Sequence, residues 1–185
     1  MNISILILLI MVLTGCSRSE VQPEPETLLS LTIIAGSEIN SGSDINSTTL
    51  QGGGADAAPL QLRMYELQST ELFANADFLD IYLQDSATLQ SSLIKKHRLP
   101  TVWPDTGSQL TWQLDRATRF IAIFAEFANY ESAITSALAP IVPGTSNRMI
   151  LQINGNHLRL SVEPRLFIAL VKEHLPEKQP HGSQL

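Results

Sequence analysis

The apolar positions of this chain fall into short runs whose period changes along the sequence. Leu60, Leu62 and Met64 alternate with Gln61 and Arg63. That period of two sets one face on a core and the other in water, so Leu60 to Leu67 is predicted as a strand. Leu28 to Ala35 is apolar and β-branched enough to be another. After Leu67 the period lengthens: Phe78, Leu79, Tyr82 and Leu83 stand at helical spacing. Asn75 is positioned as an N-cap, with Asp77 and Asp80 near the positive end of the helix dipole. A second short helix is expected from Asp85, burying Leu89 and Leu93 and completing a helical insertion over about 70–95.

Strand signals resume through Leu99 to Trp103, and Pro104-Asp105-Thr106-Gly107 suits a tight hairpin turn. Leu110, Trp112 and Leu114 then alternate with Gln109, Thr111 and Gln113, while Phe120 to Phe127 is apolar almost throughout, as in a strand covered on both faces. Ala133 to Val142 supplies a further strand, and Pro143-Gly144-Thr145 turns the chain toward Met149 to Ile153. Asn154-Gly155 is a favoured hairpin dipeptide, followed by alternating Leu158, Leu160 and Val162. About eight strands at this spacing predict an all-β fold, a two-sheet antiparallel β-sandwich over 28–162. In the remaining 163–185, Pro164 can open a C-terminal helix with Phe167, Leu170, Val171 and Leu175 on one face, and a frayed tail follows from Pro176.

The amino-terminal pattern differs in kind. Ile3 to Val12 is apolar and is followed by Leu13-Thr14-Gly15-Cys16, which holds the chain's single cysteine. An apolar run of about a dozen residues is too short to span a bilayer, which needs about twenty, but it fits the core of a signal peptide. Residues 1–15 therefore read as a lipoprotein signal and Cys16 as the lipid-attachment residue, although no positive charge precedes the apolar run. Several acyl chains on one residue anchor far more durably than one. By resemblance to bacterial lipoproteins, Ser17 in place of an aspartate implies the outer membrane, with the body of the protein in the periplasm. Ser17 to Glu26, with Pro23, Pro25 and three glutamates, has the makeup of a solvated tether, and 16–27 is assigned to it. With one cysteine no intrachain disulfide can form, so stability must come from the core.

A net charge of −6 offers no basic face for phosphates and makes nucleic acid an unexpected partner. The chain has no Gly-x-Ser-x-Gly elbow and no glycine-rich phosphate loop. His97, His157, His174 and His181 are scattered singly, without a second ligand at metal-binding spacing, and read as surface residues. Asp77 and Asp80 share a helical face, which helix-start electrostatics explains without catalysis. Trp103 and Trp112 could form a carbohydrate platform, but flanking a turn they are more simply cross-strand packing. No catalytic residue, metal or cofactor is assigned.

Leu62-Arg63-Met64-Tyr65-Glu66-Leu67, then Phe73-Ala74-Asn75-Ala76-Asp77-Phe78, then Asp85-Ser86-Ala87-Thr88-Leu89 form an ordered set. With the strand from Arg119 to Phe127, this succession resembles the TssJ family, outer-membrane lipoproteins of the type VI secretion system, from about Leu31 to Val162. The resemblance implies a transthyretin-like sandwich with added helices and no catalysis or small-molecule substrate. Its implied partner is the periplasmic domain of the inner-membrane protein TssM, met by the loop between the first two strands. Here that loop is Gly36 to Pro59, which contains Gly52-Gly53-Gly54, and Glu38, Asn40, Asp44 and Asn46 are its candidate contact residues. Arg63, Tyr65, Phe73 and Phe78 are expected to maintain the fold. The alternative reading is a periplasmic binding module for a small ligand or glycan.

Overall fold

The structure, a computed structural model, describes residues 25–42 and 57–163. Cys16, Asp44, Asn46 and the C-terminal helix expected from Pro164 lie outside the described residues. Eight strands are present among the described residues: β1 (Leu28–Ala35), β2 (Leu62–Leu67), β3 (Leu93–Arg98), β4 (Gly107–Gln113), β5 (Phe120–Ala125), β6 (Ser136–Pro140), β7 (Ser146–Asn154) and β8 (His157–Val162). They form two four-stranded sheets, ordered β4-β1-β7-β8 and β3-β2-β5-β6. The short helix α1 (Glu71–Ala74) and the longer α2 (Phe78–Leu89) lie between β2 and β3, followed by a 3-10 turn at Gln90–Ser92.

Strand alternation divides the molecule into two cores. Leu62 and Met64 of β2, with Ile121, Ile123 and Ala125 of β5, join Leu29, Leu31, Ile33, Met149 and Leu151 between the sheets. The intervening residues Tyr65, Leu67, Ala122 and Phe124 point the other way and pack with Phe73, Ile81 and Leu89 of the helices. The expected period of two along β2 is therefore present, but its second face meets helices rather than water. Phe120 to Phe127 is covered on both faces as expected, with Phe127 buried as well.

One strand pair departs from an antiparallel sandwich: β1 and β7 run parallel, with Leu31 opposite Met149. The sequence between Leu89 and Gly107 also folds differently from its reading. β3 starts at Leu93, five residues after Thr88 and well before Leu99, and uses the polar run Lys95-Lys96-His97-Arg98 as an edge strand. Charged residues suit an edge, where one face and one hydrogen-bonding side remain in water. The Leu99 to Trp103 segment forms no strand and keeps a bridge between Leu60 and Val102 and a hydrogen bond from the Leu99 amide to the Leu62 carbonyl. The Pro104 turn carries the chain from one sheet to the other instead of closing a hairpin, since β3 and β4 belong to different sheets. Trp103 is exposed, and Trp112 packs against the inter-sheet core with His97 at 6.1 Å, so the two tryptophans are not a cross-strand pair.

Several local expectations shift by small amounts. Asn75 closes α1 rather than opening α2: its side-chain amide donates to the Glu71 carbonyl at 2.8 Å, and Asp77 is the N-cap of α2. Gln84 has non-helical torsions, so α2 breaks there and its second part begins at Asp85 as the sequence suggests. In the last hairpin Asn154 pairs with His157, so the turn residues are Gly155 and Asn156. Gly155, at φ +55°, occupies the first turn position, where a II′ turn favours glycine. Thr27, read with the tether, is already buried in the domain: its hydroxyl accepts from the Gly144 amide at 2.8 Å and its carbonyl from the Leu114 amide at 2.8 Å. Gly144 lies at φ +69°, as the expected turn requires.

Candidate functional site

The first loop leaves β1 at Gly36 and is fixed at its root. Ile39 is fully buried in the inter-sheet core. Asn40, at φ +52°, is buried too, and the short amide of asparagine makes that left-handed conformation accessible. Its Nδ2 donates to the Pro59 carbonyl at 3.0 Å, and its Oδ1 accepts from the Ala128 amide at 2.8 Å. The Ala58 amide donates to the Ile39 carbonyl at 3.1 Å, and Asn156 Nδ2 donates to the Ser41 carbonyl at 3.3 Å. Both ends of the loop are thus tied together and to the corner after β5. Of the candidate contact residues, Glu38 is exposed. Asn40, expected as a contact residue, is buried with its side-chain amide used within the fold, where it holds the loop's root.

A second polar cluster sits where β2, β3 and α2 meet. Tyr65 and Lys96 are cross-strand partners, and the β2 strand also carries Arg63 on the same face. The Asp85 carboxylate receives Lys96 Nζ at 2.9 Å and 3.0 Å, the Tyr65 hydroxyl at 3.0 Å and Arg63 Nη1 at 3.1 Å. Arg63 also donates from Nε to Glu126 Oε1 at 2.7 Å and to the carbonyls of Ile81 and Tyr82 at 3.1 Å each. Those carbonyls belong to the turn before the Gln84 break, where an interrupted helix needs outside donors. Burial pulls the Asp85 carboxyl upward, but Lys96, Tyr65 and Arg63 outweigh it and hold it down to about 2. Burial, reinforced by the Asp85 charge, pushes the Tyr65 phenol far above the usual tyrosine range. The cluster joins helix to sheet through these hydrogen bonds and ion pairs.

Glu66 makes a third buried arrangement at the other face of β2. Its Oε1 lies 2.7 Å from His97 Nε2, and its Oε2 accepts from the Asp115 amide at 2.8 Å and the Thr118 hydroxyl at 2.6 Å. His97 is therefore no surface residue; it braces β3 against the chain leading into β5. Among the described residues, no three His, Cys, Asp or Glu side chains converge as metal ligands would.

The outer side of α2 carries what periodicity misjudged. Phe78, Ile81, Asp85 and Leu89 form the inward stripe, whereas Leu79, Tyr82 and Leu83 are 48 %, 42 % and 72 % exposed. Five apolar residues in the six from Phe78 to Leu83 exceed what one helix face can bury, and that surplus was the available signal.

Two packed sheets, a helical layer on one of them, ion pairs that tie helix to sheet and a first loop fixed at its root define a β-sandwich with a helical insertion. A sequence profile of the type VI secretion lipoproteins (VasD, EvfM, TssJ) matches residues 27–156. The chain belongs to that family. No curated protein matches it in sequence. Among solved structures, the T6SS lipoprotein TssJ1 from Pseudomonas aeruginosa is similar at 19% identity and a TM-score of 0.65, over 76% of this chain and 98% of that one. The Serratia marcescens Lip, a membrane-bound component of the type VI secretion system, is similar at 22% identity and a TM-score of 0.58, over 74% and 96% of the two chains. A chain in the structure described as the TssM C-terminal domain from EAEC is similar at 19% identity and a TM-score of 0.54, covering 73% and 98%. These likenesses establish the fold, a TssJ-like sandwich.

Proposed function

We propose that this lipoprotein is anchored in the outer membrane through Cys16, faces the periplasm and binds the periplasmic domain of TssM, completing the envelope-spanning type VI assembly without catalysing a reaction. The observation that carries this reading is the family match over 27–156. The lipobox before Cys16 supports it independently, because a lipid fixes one end of a mechanical connection whose other end must be a protein contact. A sandwich whose first loop is fixed at its root suits that second role, since a supported loop is a common place for a protein contact. Glu38 and the segment 43–56, which includes Asp44 and Asn46, form the proposed contact, and Asn40 ties the loop's root to Pro59 and Ala128.

Because Ile39 and Asn40 are buried, removing the root of the loop would damage the core. The suitable variant keeps 36–42 and replaces 43–56 with a short Gly-Ser linker. It is expected to melt like the parent and lose most of its affinity for TssM; full affinity would refute the loop assignment. Cys16→Ser is expected to release the protein from the membrane fraction. Its retention there would contradict lipid anchoring.

A further inference from the structure

The exposed side of α2 and the edge strand β3 border a cleft of about 610 Å³ lined by Arg63, Tyr82, Leu83, Lys96, Arg98 and Glu126. A hollow of about 300 Å³ continues it past Leu79 toward Phe127 and Ala128, sharing Tyr82 and Glu126. Ala128 is the residue whose amide Asn40 accepts, so this groove runs into the root of the first loop. Its two walls differ in chemistry. The α2 wall is apolar, with Leu83 72 % exposed. The β3 wall is cationic: the Lys96 side chain is 45 % exposed, and Arg98 is exposed and forms no ion pair among the described residues. Lys95, opposite Glu66, lies on the other face of the strand and does not line the cleft. Asp85 and Glu126 pair with Arg63 and Lys96, so Arg98 is the lining cation that carries its charge to solvent without an ion pair among the described residues. Edge-strand cations also deter strand pairing. That explanation does not reach Leu79, Tyr82 and Leu83, which cost solvation and protect no edge.

We infer that the groove between α2 and β3 is a second docking surface for the partner proposed above, and that it receives an acidic segment carrying a bulky apolar side chain. The apolar residue covers Leu79, Tyr82 and Leu83, and the carboxylates meet Arg98 and Lys96. This inference rests on the proposed TssM interaction. Arg63, Tyr82 and Lys96 are already committed to the Asp85 cluster and to one another, with the Arg63 guanidinium 5.4 Å from the Tyr82 ring, so one wall is rigid before binding. Continuity with the first loop lets one partner surface engage both sites, and linked contacts strengthen each other through effective concentration.

The test uses the full lipidated chain in detergent and detergent-solubilised TssM, comparing the parent, the loop-shortened variant, Leu83→Ser/Arg98→Glu, Arg98→Glu and Arg98→Lys. Both altered groove residues are exposed, so melting temperatures should match the parent. The double variant is expected to bind about tenfold more weakly, and Arg98→Lys within about twofold of the parent. Parent affinity should fall with added salt, with Arg98→Glu flattening that dependence. Parent-like binding by the double variant, alongside weakened binding by the loop variant, overturns the groove alone. A salt dependence that Arg98→Glu leaves unchanged overturns the acidic occupant. If the parent itself does not bind, the proposed function fails and this inference falls with it.

Discussion

The Tyr65 hydroxyl donates to the Asp85 carboxylate at 3.0 Å, joining the central strand of one sheet to the helix that covers it. Lys96, Arg63 and the Ser86 hydroxyl also donate to that carboxylate. Replacing Asp85 with Ala leaves the buried Tyr65 hydroxyl and the Arg63 guanidinium short of an acceptor, so it should cost about 3 kcal/mol. Tyr65→Phe removes one donor from a carboxylate that keeps three others, from Lys96, Arg63 and Ser86, and should cost about 1 kcal/mol. Urea titrations of both variants check the order; equal losses would contradict it.

The same carboxylate sets an acid limit. Its folded pKa is depressed to about 2 from the ordinary 3.8. A depressed carboxyl stabilises the fold above its unfolded value, and that contribution is lost as pH falls through the folded one. About 2 kcal/mol should therefore disappear between about pH 4 and pH 2, and the loss should be absent in Asp85→Asn. Chemical denaturation at stepped pH in this window measures the difference between parent and variant.

Phe78 stacks on Tyr130 with ring centroids 4.2 Å apart and meets Phe124 at 5.0 Å. Phe78→Ala removes a ring that bridges α2, β5 and the turn after it, and should cost about 3 kcal/mol. An unchanged thermal melt would contradict a structural role for this residue.

Asn40→Ala breaks two side-chain hydrogen bonds and places a Cβ residue without a compensating amide at positive φ. A loss of about 2 kcal/mol is expected, together with faster proteolysis within 43–56, because both ends of the loop lose their tie. Asn40→Gly restores the backbone freedom only and should recover about a third of that loss. Parent-like cleavage rates in Asn40→Ala would show that the loop root holds without it.

What could be read from the sequence was set by local pattern. β5 was legible because six apolar residues in succession admit few alternatives to a doubly covered strand. The break at Asp85 was legible from the renewed helical spacing after Gln84. β3 was missed because its residues Lys95 to Arg98 carry no hydrophobic signal; its place comes from pairing with β2, a long-range relation. The parallel pairing of β1 with β7 is likewise tertiary. Asn40 looked like a contact residue because sequence gives polarity without burial, and only the approach of Ala128 and Pro59 shows where its amide is used. The outer α2 surface was hidden by treating Phe78, Leu79, Tyr82 and Leu83 as one face, although Ile81 shares the inward stripe with Phe78.

The most direct test of the central claim is affinity capture of TssM from an envelope extract by the detergent-solubilised full chain, with the loop-shortened 43–56 variant alongside. The account predicts that TssM is retained by the parent and largely lost by the variant. Failure of the parent to retain TssM, with the domain shown folded by its melt, would contradict the account and favour a module that binds a small ligand or glycan.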